Sequence, residues 1–151
     1  MMNQASLFEI LGVSADEVVP LRARLLLDGD EIASRLAGDL AADTLHLGVQ
    51  RAGAIVGVAS VCREDSSAQA PNGWRLRGMA IDESLRGLGF GRLLVNLAAR
   101  HARERGGQIL WCTARDSAKG FYERLGFACD SEPLRLAAKP DLLFFRMAMA
   151  I

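Results

Sequence analysis

The spacing of apolar residues changes along this chain, and each change marks an element. Residues 6–13 alternate imperfectly between apolar and polar positions and are expected as a first strand. Residues 18–27 carry apolar side chains at helical spacing, with Ser14 or Asp16 as N-cap, and Asp28-Gly29-Asp30 ends the helix. The alanine-rich stretch 31–43 is expected as a second short helix. Residues 44–50 and 54–62 are apolar strands joined by Arg51-Ala52-Gly53, a connection suited to a β-hairpin. A polar stretch with Pro71 and Asn72-Gly73 forms a loop, and residues 74–81 make the next strand.

The strongest helical pattern covers residues 90–105. There Phe90, Leu93, Leu94, Leu97, Ala98, His101 and Ala102 share a stripe, and Gly106-Gly107 stops it. An apolar strand follows at 108–114. A short helix at 117–125 is then capped by Asp116 or Ser117 and closed by Gly126, with Phe127 positioned for the apolar contact of a Schellman cap. Residues 142–148 read as a last strand. A hairpin followed by strand–helix–strand predicts an α+β (mixed α/β) fold, one domain over residues 1–151 built on a mixed, mostly antiparallel sheet.

Three glycines at alternate positions, Gly87, Gly89 and Gly91, fall where the 90–105 helix begins. A helix N-terminus has N–H groups without internal partners and the positive end of the dipole, so such a loop suits an anion, most often phosphate. A tight strand-to-helix turn without a ligand would read the same way. The run is GxGxG followed by Arg92, not the GxGxxG of a dinucleotide fold, and no GxxxxGK[ST] motif occurs.

Composition narrows the setting. Lys plus Arg and Asp plus Glu are balanced at 18 each, so no global field draws the chain to nucleic acid or membrane. Recognition of a charged ligand must be local. Cys62, Cys112 and Cys129 are widely spaced and have no metal-ligand pattern, so no metal is expected and free thiols in a reducing cytoplasm are the simplest reading. The N-terminus lacks the features of a secretory signal, and the longest apolar run is too short to span a bilayer.

Two segments together are more specific than either alone. Arg86-x-x-Gly89-x-Gly91 after Met79-Ala80-Ile81, followed by Ala118-x-x-Phe121-Tyr122-x-x-x-Gly126-Phe127, resembles the GCN5-related N-acetyltransferase (GNAT) superfamily. The match is strongest from Trp74 to Phe127. It implies a GNAT-like fold with splayed parallel strands around the acyl-CoA site, and acetyl-CoA as co-substrate. The main chain of Met79 and Ile81, flanking Ala80, is then expected to pair with the pantetheine arm. The N–H groups of Leu88, Gly89, Phe90 and Gly91, next to Gly87, with Arg86 and Arg92, are expected at the pyrophosphate. Many members have Asn seven places before the tyrosine. Here that position is Arg115, whose guanidinium is expected at the cofactor, at the acceptor or paired with Asp116.

By the same resemblance Tyr122 is expected beside the thioester sulfur as general acid, its ordinary pKa of about 10 being matched to a thiol leaving group. Phe121-Tyr122 would equally serve as the apolar face of a short helix. A base is less evident: Glu64, Asp82, Glu83 and Glu132 are candidates, as are His46 and His101, although each reads as well as a surface or structural group. Period two places Arg75 and Arg77 on one face of the 74–81 strand with Met79 and Ile81, and Trp74, Leu76 and Gly78 on the other. Two arginines there either pair with acids or solvent, or bind an anionic group of the acceptor. Arg22 and Arg24 border the acceptor cleft by resemblance. The expected activity is acetyl transfer to a primary amine of a small molecule or peptide, by a monomer or homodimer; the alternative is a non-catalytic acyl-CoA-binding module.

Overall fold

The computed structural model describes residues 7–129 and 132–151; Ser6 of the expected first strand lies outside them. Strand β1 (Phe8–Gly12) precedes helix α1 (Ala15–Leu26), strands β2 (Leu45–Arg51), β3 (Ala54–Arg63) and β4 (Gly73–Ile81), and helix α2 (Phe90–Glu104). Then come β5 (Ile109–Arg115), α3 (Asp116–Arg124), β6 (Ala128–Cys129), β7 (Leu134–Leu136) and β8 (Lys139–Ala150). The sheet runs β1-β2-β3-β4-β5-β8-β6, with β7 paired to β8. Only β4 and β5 are parallel; every other pairing is antiparallel. This is the mixed sheet expected from the strand–helix–strand pattern.

Local chemistry explains most boundaries. Ser14 caps α1 in a capping box with Glu17, deciding between the two expected caps and starting the helix three residues before the periodic stretch. Ala52 (φ 50°) and Gly53 (φ 80°) make the β2–β3 turn, so the connection is two residues and Arg51 pairs with Ala54 inside the ladder. The buried stripe of α2 is Leu94, Val95, Ala98, Ala99 and Ala102, turned from the expected one so that Leu93 is exposed. At α3 the N-cap is Arg115, not Asp116 or Ser117. Its C-terminus closes as expected: Gly126 takes φ 103°, the Phe127 N–H donates to the Tyr122 carbonyl, and the Phe127 ring lies 5.3 Å from that of Tyr122.

Residues 31–43 form turns, not the helix expected there. Polar side chains capture the backbone groups that a helix would use. Asp30 accepts from the Ala33 N–H, the Ser34 hydroxyl donates to the Asp30 carbonyl, and Asp39 accepts from the Leu36 N–H. Gly38, at φ 89°, reverses the chain.

Those turns fold over Arg22, which is 1% exposed. Its guanidinium donates to both Asp39 carboxylate oxygens (2.7 and 3.1 Å), to the Ser34 carbonyl (3.0 Å) and to Ser60 Oγ (2.8 Å). Ser60 in turn meets His46 Nδ1 at 2.6 Å, and His46 Nε2 meets the Asp39 carbonyl at 2.9 Å. Arg22, expected at the acceptor cleft, is instead buried where it holds 31–43 onto the sheet, and it lines neither of the two cavities described below. The same side chain fills the space beside Gly78, where a Cβ would lie 2.5 Å from Arg22 Nε.

Gly78, at φ 63°, carries the irregularity on which the site depends. Val58 pairs with Ala80 and Ser60 with Arg77, so Gly78 and Met79 together oppose Ala59 alone. This β-bulge advances the alternation of β4 by one residue. Trp74 and Leu76 belong to the main core under α2, and Met79 and Ile81 pack against that core, while Ala80 joins Val18, Leu21 and Val58 under α1. Arg75 and Arg77 thus share a face with each other but not with Met79 and Ile81. Removing Arg22 while keeping its bulk leaves Asp39 buried and unpaired, so Arg22→Met is expected to lower unfolding stability by about 3–5 kcal/mol. Denaturant titration checks this; a loss below about 1 kcal/mol would mean that the network is dispensable.

Candidate active site

Strands β4 and β5 pair only as far as Arg75 with Trp111, although β5 continues to Arg115. Beyond that point the strands part, and the β5-facing edge of β4 has no partner strand. Two adjoining cavities open along the gap and share Leu26, Met79 and Ala118 in their walls.

The first cavity measures about 550 Å³. Met79, Ala80, Ile81, Arg86, Gly87, Gly89, Phe90, Gly91 and Arg92 all line it, which brings most of the expected donor residues together. Leu88 does not; it points outward and is 62% exposed. The turn Glu83–Leu85 leads into this loop, and Gly87 (φ 81°) and Gly89 (φ 88°) both use left-handed backbone. Gly89 is the N-cap of α2 and supplies no side chain to satisfy the first N–H groups of the helix. These N–H groups remain available to a ligand. Gly91 serves close packing instead: a Cβ there would lie 3.1 Å from the Phe121 ring. Arg124, which the motif reading did not single out, also lines this cavity, three residues after Phe121 on the same helix. That i, i+3 spacing was a usable signal.

The second cavity, about 390 Å³, lies between the parted strands and the ends of α1 and β8. Tyr122 lines it, as do Arg77, Cys112, Arg115 and Lys139. Arg115, expected at the cofactor, at the acceptor or paired with Asp116, is in the wall of this cavity rather than the other. Lys139 gave no signal in the sequence; the β7–β8 pairing carries it there, and its Nζ donates to the Leu26 carbonyl at 3.0 Å. Burial, with Cys112 adjacent, pushes the Tyr122 phenol above its ordinary value, and burial pushes the Cys112 thiol up to about 12. Both groups stay protonated at neutral pH.

The remaining candidates lie elsewhere. Arg75 pairs with Glu64 at 3.0 Å and rests over Trp111, its guanidinium carbon 4.7 Å from the ring centroid, and it lines neither cavity. Arg24 pairs with Asp82 at 2.9 Å; the Arg24 guanidinium and the Ser84 hydroxyl hold the Asp82 carboxyl down at about 2. His101 contacts the Asp43 carbonyl and lies edge-on to Trp74. Neither histidine lines either of these two cavities, and nor do Glu64, Asp82, Glu83 and Glu132. No candidate base is brought to the gap.

Comparison with known proteins gives the family and the fold. The family model described as "Acetyltransferase (GNAT) family" matches residues 16–127. An uncharacterised N-acetyltransferase, YitI of Bacillus subtilis, is 31% identical over 129 residues, covering 84% of this chain and 87% of its own. Among solved structures, an aminoglycoside 6'-N-acetyltransferase complexed with coenzyme A is similar with a TM-score of 0.75 and 17% identity, over 94% of this chain and 96% of that one. An IAA acetyltransferase from Bacillus cereus is similar with a TM-score of 0.70 and 20% identity, over 96% of this chain and all (100%) of that one. At such identities the structures share the fold, while the family match and the Bacillus subtilis relative place the sequence itself: this chain belongs to the GNAT family of acetyltransferases.

Proposed function

We propose that this protein transfers an acetyl group from acetyl-CoA to a primary amine of a small molecule or peptide by direct attack, with Tyr122 as general acid. The observation that carries the reading is the junction of the two cavities. One has an uncapped helix N-terminus and an unpaired strand edge; the other has a buried, protonated phenol; Met79 and Ala118 belong to both.

The first cavity fits a CoA thioester. The N–H groups heading α2, with Arg86 and Arg92, hold its pyrophosphate, and the main chain of Met79 and Ile81 pairs with the pantetheine amides as an added strand would. An amine entering the second cavity meets the thioester carbonyl at the junction. Its nitrogen bonds to the carbonyl carbon, the carbon–sulfur bond breaks, and the sulfur takes the Tyr122 proton. The proton released by the amine leaves to solvent, from which the phenol is restored. Burial raises the pKa of the phenol, but it also disfavours the thiolate formed beside it, so donor and leaving group shift together. The lack of a candidate base in either cavity favours the second reading, an acyl-CoA-binding module without catalysis. The place of Tyr122 favours transfer.

Gly89→Asp puts a carboxylate at the anion cradle, on left-handed backbone. It is expected to weaken acetyl-CoA binding by at least about tenfold in calorimetry, through charge repulsion and steric block; unchanged affinity in the folded variant contradicts the cradle. Tyr122→Phe is expected to reduce kcat by about 10²-fold, whereas a loss of only a few-fold would make the hydroxyl a positioning group. Tyr122 is also the single tyrosine, so ultraviolet titration reads it alone. In the native protein its phenolate band is expected to be absent at about pH 10, where a free phenol is half ionised. A midpoint near that pH would mean that the phenol is solvated.

A further inference from the structure

The second cavity has a charge imbalance that the chain as a whole lacks. Arg77, Arg115 and Lys139 contribute to its wall, whereas no Asp or Glu does. None of the three forms an ion pair among the described residues. Arg77 is the most exposed to the consequence. Among the described residues its hydrogen bond is long, 3.4 Å from Nη1 to the Ala37 carbonyl, and its buried Nε has no partner there. Burial and the neighbouring Arg75 pull its pKa down. Its neighbour in the strand is treated differently, since Arg75 has Glu64. A half-buried guanidinium without a carboxylate is costly unless something else supplies one. The rest of the wall is largely apolar, with Leu27, Leu136 and Phe144 among its residues beside the polar Thr113 and Ser117.

We infer that the acceptor is a small amine carrying a carboxylate and an apolar body, an apolar α-amino acid or a compound of that class, with its carboxylate held by Arg77 and the field of Arg115 and Lys139. The inference rests on the transferase reading for its chemistry, though not for its binding. A guanidinium takes a carboxylate through two parallel hydrogen bonds, which fixes the direction of the attached amine. The cavity, at about 390 Å³, has room for a molecule of this size. The same cations address the missing base. A positive field destabilises an ammonium and lowers its pKa, so the amine reaches the thioester neutral after losing its proton to solvent. A polycation would be repelled by the same wall.

Two measurements on the full chain separate this inference from the transferase reading. In the first, L-leucine, L-leucinol (the same body and amine without the carboxylate), putrescine and phosphoethanolamine are titrated calorimetrically into protein saturated with CoA. In the second, CoA release from acetyl-CoA is followed with each amine. Leucine is expected to bind at least about tenfold tighter than leucinol, and Arg77→Met to bring that ratio close to one. Lys139→Met is expected to reduce the ratio severalfold, and it serves as the reading if Arg77→Met fails to fold; an unchanged ratio there counts against the inference. Leucinol, putrescine or phosphoethanolamine binding as tightly as leucine overturns it. CoA release without preference for leucine also overturns it, while the transferase reading stands. Tight, carboxylate-dependent binding without CoA release leaves the anion site standing and sinks the transferase reading.

Discussion

One extra residue in β4 organises the site. Gly78 and Met79 oppose Ala59 alone, and Gly78 holds φ 63° with no room for a Cβ because the Arg22 guanidinium occupies it. The bulge turns Met79 and Ile81 toward the α2 side, after Arg75 and Arg77 have faced the other way. Arg22, clamped by Asp39, Ser34 and Ser60, carries residues 31–43 to the same place. A buried ion pair of this kind adds little net stability over an apolar replacement, but losing one partner is costly. Its effect here is to pack residues 31–43 and the Arg22 guanidinium against β4 at the bulge.

From that point the cleft follows. β5 keeps company with β4 only to Trp111, and the parting leaves main-chain groups of β4 open to a ligand. The glycine loop delivers the head of α2 to the same opening, with Gly89 as an N-cap that caps nothing. The proposed donor recognition is mostly backbone, with Arg86, Arg92 and Arg124 as the charged side chains in that wall. On the proposed acceptor side the side chains matter more, with Arg77, Arg115 and Lys139 in the wall of the second cavity. A chain with balanced charge overall thus lines both cavities with cations, Arg86, Arg92 and Arg124 in the first and Arg77, Arg115 and Lys139 in the second, and with no Asp or Glu.

The family and the glycine loop at the head of α2 were legible in the sequence because glycine spacing, a strand before it and Phe121-Tyr122 after it are local patterns. The sheet was legible for the same reason, through the hairpin and the strand–helix–strand order. Three things were not. The bulge at Gly78 broke the period-two reading of β4, because one glycine within a strand does not say whether the backbone turns there. Residues 31–43 have alanines enough for a helix, yet Asp30, Ser34 and Asp39 take the backbone bonds. The roles of the arginines depended on partners far away in sequence: Asp39 for Arg22, Glu64 for Arg75 and, among the described residues, no acidic partner for Arg77. Lys139 reached the cavity only through the β7–β8 pairing.

The central claim is that acetyl-CoA is held along the open edge of β4 and the head of α2 by main-chain groups. Amide hydrogen exchange read by mass spectrometry, with and without acetyl-CoA, tests it most directly. The account predicts slowed exchange in peptides covering Met79 to Ile81 and Gly87 to Arg92, with the β2–β3 hairpin unchanged. Protection elsewhere on the molecule, with none in these two segments, would contradict it.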